Sequence, residues 1–76
     1  MPHYYFNVRC GETEETDVVG RSCPDDLAAL QTAFRMASDV VQTRLQRDQP
    51  IEAGWISVED ERDREVLNLP LRAAAY

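Results

Sequence analysis

One long amphipathic helix is the best-specified element of the chain. Between Asp25 and Arg47 the apolar residues recur at spacings of three and four, which is typical of a helix with one apolar stripe. Pro24 and Asp25 favour a helix start, because an Asp at this position accepts hydrogen bonds from unpaired backbone amides. Pro50 favours the helix end. We expect the stripe to be buried, and its members are Leu27, Leu30, Phe34, Ala37, Val40, Val41 and Leu45.

Alternation of apolar and polar residues predicts strands on both sides of this helix. Residues 3–9 and the weaker stretch 14–19 form a predicted first hairpin. Residues 55–59 and 66–71 form a second, joined by the wholly charged turn 60–64. The apolar phase of these strands is expected to face the helix, and it contains Tyr4, Phe6, Val8, Ile56, Val58, Leu67 and Leu69.

The predicted order of elements is β-β-α-β-β, which indicates a single small α+β domain over residues 1–76. In it, one long helix packs on a four-stranded, mainly antiparallel sheet. Asp63 is able to tolerate a positive φ in the second hairpin turn. Ala73 to Tyr76 are predicted to be a loosely held tail. A helix of about 22 residues is about 33 Å long, whereas six-residue strands reach about 20 Å, so the end of the helix is expected to meet the C-terminal segment or a second subunit.

The charge of the chain narrows the choice of partner. Fourteen acidic residues against eight arginines give a net charge of -6, which repels nucleic-acid backbones and makes nucleic acid an unfavourable direct ligand. The sequence contains no apolar run of the roughly 18 residues that a membrane helix requires. We therefore expect a cytoplasmic protein that binds neither nucleic acid nor membrane.

The residues with catalytic or ligand chemistry do not form a recognisable site. Cys10 and Cys23 have only His3 as a further soft ligand, which is too few for zinc, and a thiol nucleophile needs a base within hydrogen-bond reach. Asp25 and Asp26 are explained by helix capping. The acidic first hairpin lacks the residue pattern of an EF-hand. We expect no enzymatic activity, no cofactor and no metal ion.

A set of turn and core residues spans nearly the whole chain: Tyr4-Tyr5-Phe6, Arg9 with Gly11, Asp17 with Gly20, Pro24-Asp25, Ala28-Ala29 with Ala33, Ala37, and Leu67-x-Leu69-Pro70. This pattern resembles a family of short bacterial proteins known only as a domain of unknown function. The resemblance implies the fold order and brings no catalytic residues. The aromatic first strand, the acidic hairpin with glycine and the alanine-rich helix are also distantly similar to HicB-type antitoxins.

The surface without a helix over it is the predicted interface. Tyr, Trp and Arg, which are enriched at interface hot spots, lie on the outward phase of the strands. We therefore expect a non-enzymatic protein that acts by association, first of all as a homodimer or higher homo-oligomer. The alternative, implied by the antitoxin likeness, is a regulatory module that binds a small basic protein. The candidate interface residues are Tyr5, Arg9, Trp55 and Val66 on the sheet, with Val41 and Leu45 at the helix end.

Overall fold

The computed structural model describes residues 1–49 and 54–74. The predicted α+β class and the strand-strand-helix-strand-strand order are confirmed, with one additional two-residue strand before the helix. Pro50, the predicted helix stop, lies outside the described residues. The elements are β1 (His3–Cys10), β2 (Thr13–Glu15), β3 (Arg21–Ser22), α1 (Asp26–Gln46), β4 (Gly54–Glu59), β5 (Glu65–Pro70) and a 3-10 turn (Leu71–Ala74).

The strands form one antiparallel sheet in the order β2-β1-β4-β5, with β3 paired to the start of β1. Phe6 lies opposite Val58, and Val8 lies opposite Ile56. Leu67 lies on the other side of Val58, so the apolar phases of three strands share one face, as expected. This face is covered by α1, which also contacts the 3-10 turn.

The second strand is shorter than predicted, because the chain turns before Val18 and Val19. The Asp17 carboxylate accepts backbone N–H groups of Phe6, Val19 and Gly20 at 3.1, 3.0 and 2.9 Å. Gly20 adopts a φ of 74°, which a side chain would make unfavourable. Val18 and Val19 are therefore exposed in a loop, and the prediction that they belong to a strand was wrong.

Polar contacts at its first turn attach α1 to the sheet. Asp25 caps the helix as predicted, since its side chain accepts the Ala28 N–H at 2.9 Å. The Tyr4 hydroxyl donates to Asp26 Oδ1 at 2.6 Å. This hydrogen bond, together with burial and the negative charge of Asp26, raises the pKa of Tyr4 to about 12. The start of α1 is thereby held above the start of β1.

The face of α1 that meets the sheet consists mainly of alanine. Ala29, Ala33 and Ala37 have no exposed surface, and Val41 is 2% exposed. Their spacing of four places them along one row of the helix. Small side chains let the helix backbone approach the sheet closely. The buried core combines this row with strand and turn residues and comprises Tyr4, Phe6, Cys10, Cys23, Ala29, Ala33, Ala37, Val41, Ile56, Val58 and Leu71.

The prediction that the apolar stripe is buried was wrong for three of its largest residues. Leu27, Phe34 and Leu45 are 62%, 42% and 58% exposed. At about 100° per residue, these three lie roughly a quarter turn away from the alanine row. Because the alanines already fill the contact with the sheet, the larger side chains point to the side of the helix.

The C-terminal segment is packed more closely than the predicted loose tail. Leu71 is completely buried, and Ala74 packs against the core. A Cβ placed on Gly54 would collide with the Leu71 side chain and approach Cys10 Sγ to 3.0 Å, so glycine permits this packing. The rest of the predicted tail, residues 75–76, lies outside the described part of the chain.

Candidate interaction surfaces

Two surfaces of the protein present large side chains that the core does not use. The first is the side of the sheet opposite α1, here termed the open sheet face. The second is a row of large apolar residues along α1, here termed the outer row. The open sheet face comprises Tyr5, Asn7, Arg9, Trp55, Ser57 and Glu59, and the outer row comprises Leu27, Phe34 and Leu45.

On the open sheet face, Arg9 and Trp55 form a cross-strand pair. The Arg9 guanidinium carbon lies 5.4 Å from the centroid of the Trp55 ring. At this distance the cation is attracted to the face of the indole. The guanidinium covers part of the ring, and Trp55 is half-buried within the single chain.

Polar side chains of the open sheet face bond to one another and to neighbouring side chains on β5. Asn7 Nδ2 donates to Glu59 Oε1 at 2.5 Å, and Ser57 Oγ donates to Glu65 Oε1 at 2.6 Å. Asn68 Nδ2 donates to the same Glu65 oxygen at 3.1 Å. The bonds from Ser57 and Asn68 lower the pKa of Glu65. On the open sheet face, the side chains of Asn7, Ser57 and Glu59 therefore have hydrogen-bond partners within the chain.

The loop around Asp17 extends this network. The Asp17 N–H donates to Asn7 Oδ1 at 2.9 Å, which connects the loop to the open sheet face. Partial burial acts to raise the pKa of Asp17, but the N–H groups of Gly20, Phe6 and Val19 outweigh it and lower that pKa. The charged carboxylate is thus the form that organises the loop.

His3 supports the same loop. Its Nε2 lies 2.8 Å from the Val19 carbonyl oxygen, and because a carbonyl only accepts, Nε2 must carry the donated proton. Nδ1 lies 3.4 Å from the Ser22 hydroxyl, and the imidazole packs edge-on against Tyr5 with centroids 5.4 Å apart. His3 therefore makes local structural contacts.

Cys10 and His3 lie in different cavities, and Cys23 lines neither of them. A cavity of about 300 Å³ between the second half of α1 and the first two strands is lined by Val8, Cys10, Val40 and Arg44, among others. His3 lies in a separate hollow beside the β4–β5 turn, and no cysteine lines that hollow. Neither cavity brings a thiol together with the imidazole that would activate it.

The outer row lacks the internal partners of the open sheet face. Its three members are separated by seven and eleven residues, which returns them to nearly the same direction on a helix. A shallow groove beside Phe34 is also lined by Gln31, Arg35, Ser38 and Asp39. Only four of the 21 residues of α1 are charged, in a chain that is 29% charged. The outer row is therefore an apolar strip on an otherwise acidic protein.

The predicted interface residues are not all on the surface. Tyr5 and Trp55 are half-buried and Arg9 is exposed, all on the open sheet face, and Leu45 is exposed on α1. Val41 is 2% exposed, because it belongs to the row that meets the sheet. Val66 packs against the core.

Val66 packs against the core, and not on the open sheet face as predicted, for a local reason. The register of β4 and β5 shifts between Val58 and Glu59, so that Leu67 faces Val58 and Glu65 faces Glu59. One additional residue on β5 interrupts the simple alternation. Placing Val66 on the open sheet face was therefore wrong.

Sequence reasoning also missed two surface residues, Leu27 and Phe34, by assigning them to the core. The signal that identifies them is the alanine row at spacings of four, Ala29, Ala33 and Ala37. When a row of alanines on a helix contacts a sheet, the larger apolar residues of that helix lie outside the contact.

Within the described residues, no helix combines the length and the apolar character that crossing a bilayer requires. The profile of a family described as "Domain of unknown function (DUF6894)" matches residues 3–72. No curated protein and no solved structure matches the chain. The resemblance to a family of unknown function is confirmed, while the likeness to HicB-type antitoxins has no support among these comparisons.

Proposed function

The chain belongs to this family of unknown function, and we propose that it is a non-enzymatic protein that acts through protein association, first with a second copy of itself. The observation that carries the proposal is the outer row. Three large apolar side chains, each 42% to 62% exposed, lie in line on one side of a single helix. Scattered apolar residues are ordinary on a surface, whereas an aligned strip is typical of an interaction site.

Hydrophobic burial supplies the expected driving force. Fully burying a Leu or Phe side chain contributes about 1.5 to 3 kcal/mol, so covering the half-exposed members of the row contributes on the order of 1 kcal/mol each. A symmetric dimer covers both rows and doubles this gain. A gain of this size corresponds to a weak dimer, whose population depends on protein concentration.

The charge distribution also favours the outer row. Two copies with a net charge of -6 each repel one another, and the repulsion is weakest where surfaces without acidic residues meet. Gln31, Ser38 and Gln42 border the row and are uncharged. Association through this strip brings the two copies together along their least acidic helix face.

The open sheet face is the weaker candidate for the same role. Arg9 already covers part of Trp55, and Asn7 already bonds to Glu59. A partner at this face would have to replace contacts that the single chain makes itself, whereas a partner at the outer row replaces only water.

The test is sedimentation equilibrium of the purified chain from micromolar to near-millimolar concentration, at low and high salt. We expect the average mass to rise toward a dimer with concentration. Salt should strengthen the association, because it screens the repulsion between two acidic copies. A mass that stays monomeric throughout would overturn self-association.

The antitoxin-like alternative predicts a different response. A small basic protein that binds this acidic chain should co-purify with it, and salt should weaken that complex, since screening reduces attraction between opposite charges. The exposed glutamates of β2, Glu14 and Glu15, favour this alternative. Co-purification of a basic protein with a strictly monomeric chain would replace the first proposal with the second.

A further inference from the structure

The cavity between the second half of α1 and the first two strands has an apolar floor and charged ends. Because α1 lies mainly over β4, β5 and the 3-10 turn, the helix-facing side of β1 and β2 is partly uncovered. The cavity occupies this space, and its volume of about 300 Å³ is at the lower limit for pockets that bind small molecules. We infer that it binds a short apolar peptide of about three residues whose amino and carboxyl ends are both free and charged.

Side chains of two neighbouring strands form one wall of the cavity. Val8 lies opposite Glu15, and directly opposite residues of antiparallel strands point to the same side of the sheet. Cys10 and Thr13 form the next such pair. Val8 packs against the core and Cys10 is buried, whereas Glu15 is exposed on the strand at the edge of the sheet. This wall therefore places a carboxylate beside an apolar surface.

One flank of α1 forms the opposite wall. Val40 and Arg47 both line the cavity, and seven residues are two helical turns, so the two side chains lie on the same flank. The start of α1 is bonded to the start of β1 through Tyr4 and Asp26, so residues later in the helix lie toward the end of β1. Arg47 is about 10 Å beyond Val40 along the helix axis. The guanidinium is therefore displaced toward the end of β1, whereas the Glu15 carboxylate stands beside Val8.

The charges of the lining are balanced and available. Glu15 and Asp39 contribute two carboxylates, and Arg44 and Arg47 contribute two guanidinium groups, in a chain whose net charge is -6. Within the described residues, neither Glu15 nor Arg47 has a side-chain hydrogen bond or ion pair. A ligand with one charge of each sign complements this lining, whereas a ligand with a single charge leaves one end unmatched.

The spacing of the charges indicates the length of the ligand. An extended peptide advances about 3.3 Å per residue, so three residues span about 10 Å. Such a peptide places its ammonium group near Glu15 and its carboxylate near Arg47, with its side chains on Val8, Cys10 and Val40. A single amino acid is too short to reach both charged ends.

The cavity is separate from the outer row. Arg47 follows Leu45 by two residues, which turn by about 200° on a helix, so the two side chains lie on nearly opposite flanks of α1. Binding of a peptide in the cavity is therefore independent of the proposed self-association.

Titration with the tripeptide alanyl-leucyl-alanine, followed by amide resonances in two-dimensional NMR, tests this inference at peptide concentrations up to about 10 mM. We expect saturable shifts around Val8, Val40 and Arg47, while the amides of Trp55 and Phe34 stay constant. Acetylation of the amino end or amidation of the carboxyl end removes one charge, and each should weaken binding about two- to fivefold. The absence of saturable shifts, or equal binding of the free and the blocked peptides, would overturn the inference.

Two variants at exposed positions assign each end of the ligand. In Glu15→Gln, acetylation should no longer weaken binding, whereas amidation should still do so. In Arg47→Gln the dependence should be reversed. The matched control is Glu14→Gln, because Glu14 lies opposite Arg9 and so on the other side of the sheet, and it should keep both effects. If Glu15→Gln and Arg47→Gln also kept both effects, the peptide would not bind between these two charges, and the inference would be wrong.

Discussion

The open sheet face and the outer row both contain residue types common at protein interfaces, yet the chain accommodates them differently. On the open sheet face, Trp55 lies under the Arg9 guanidinium, and Asn7 donates to Glu59. On the outer row, Phe34 and its two leucines project from α1 and remain 42% to 62% exposed. Residue type alone therefore does not mark an interface, because contacts within the chain can cover the same side chains.

The largest expected effect is on association, from Phe34→Glu. A charge at the centre of an apolar contact should raise the dissociation constant by about 30-fold or more, equivalent to roughly 2 kcal/mol. Sedimentation equilibrium measures this change. The matched control is Val18→Glu, which adds the same charge at an 83% exposed apolar residue in a loop. Equal losses in both variants would mean that net charge, and not the outer row, controls association.

Trp55→Ala should affect folding more than association. Trp55 is half-buried and partly covered by Arg9, so its removal should lower the free energy of unfolding by about 1 to 3 kcal/mol. Urea denaturation measures the loss, at a concentration low enough to keep the chain monomeric. Unchanged stability with a weakened dimer would instead make the open sheet face the interface.

Asp17→Asn tests how far the stability of the loop beside the open sheet face depends on the charge of the carboxylate. Three backbone N–H groups donate to this carboxylate, and its pKa is lowered from the ordinary value of 3.8. The native state therefore favours the ionised form. Its contribution to stability is complete above the unfolded pKa and is lost as pH falls through 3.8 toward the lower folded pKa.

Urea denaturation at neutral pH and below pH 4 checks this prediction. The variant should lose about 1 kcal/mol at neutral pH, and its difference from wild type should shrink in acid. Asp63→Asn is the control, since Asn also tolerates the φ of 59° at that turn position. A difference from wild type that is independent of pH would show that the charge of Asp17 is not what holds the loop.

The smallest expected effect comes from Arg9→Gln. Losing the cation above the Trp55 ring should lower the free energy of unfolding by about 0.5 kcal/mol, with no change in association. Arg62→Gln, in the exposed β4–β5 turn, makes the same charge change without an aromatic neighbour. If the two variants had the same free energy of unfolding, the contact between Arg9 and Trp55 would make no measurable contribution to stability.

The elements of this fold were predictable because local signals agree with the tertiary structure. Tyr4 and Phe6 alternate with polar residues and are both 3% exposed. Asp25 caps α1 as its position before the apolar run predicts. Asp63, a residue type that tolerates a positive φ, has a φ of 59° in the second hairpin turn. In each case one or two neighbouring residues determine the outcome.

The surfaces were less predictable because they depend on contacts between distant residues. A stripe drawn through the largest apolar residues of α1 includes Phe34, whereas the sheet accepts Ala33. Whether a helix packs through large or small side chains depends on the shape of the surface it meets. The periodicity of the helix sequence carries no information about that surface. The register shift that turns Val66 toward the core likewise depends on strand pairing.

Dilution of isotopically labelled protein, followed by amide and indole resonances in two-dimensional NMR, compares both surfaces in one measurement. If copies meet through the outer row, amides around Leu27, Phe34 and Leu45 should shift as the chain is diluted, while the Trp55 indole and the Arg9 amide stay constant. Shifts confined to Trp55 and Arg9, with α1 unchanged, would contradict the assignment of the interface to the outer row.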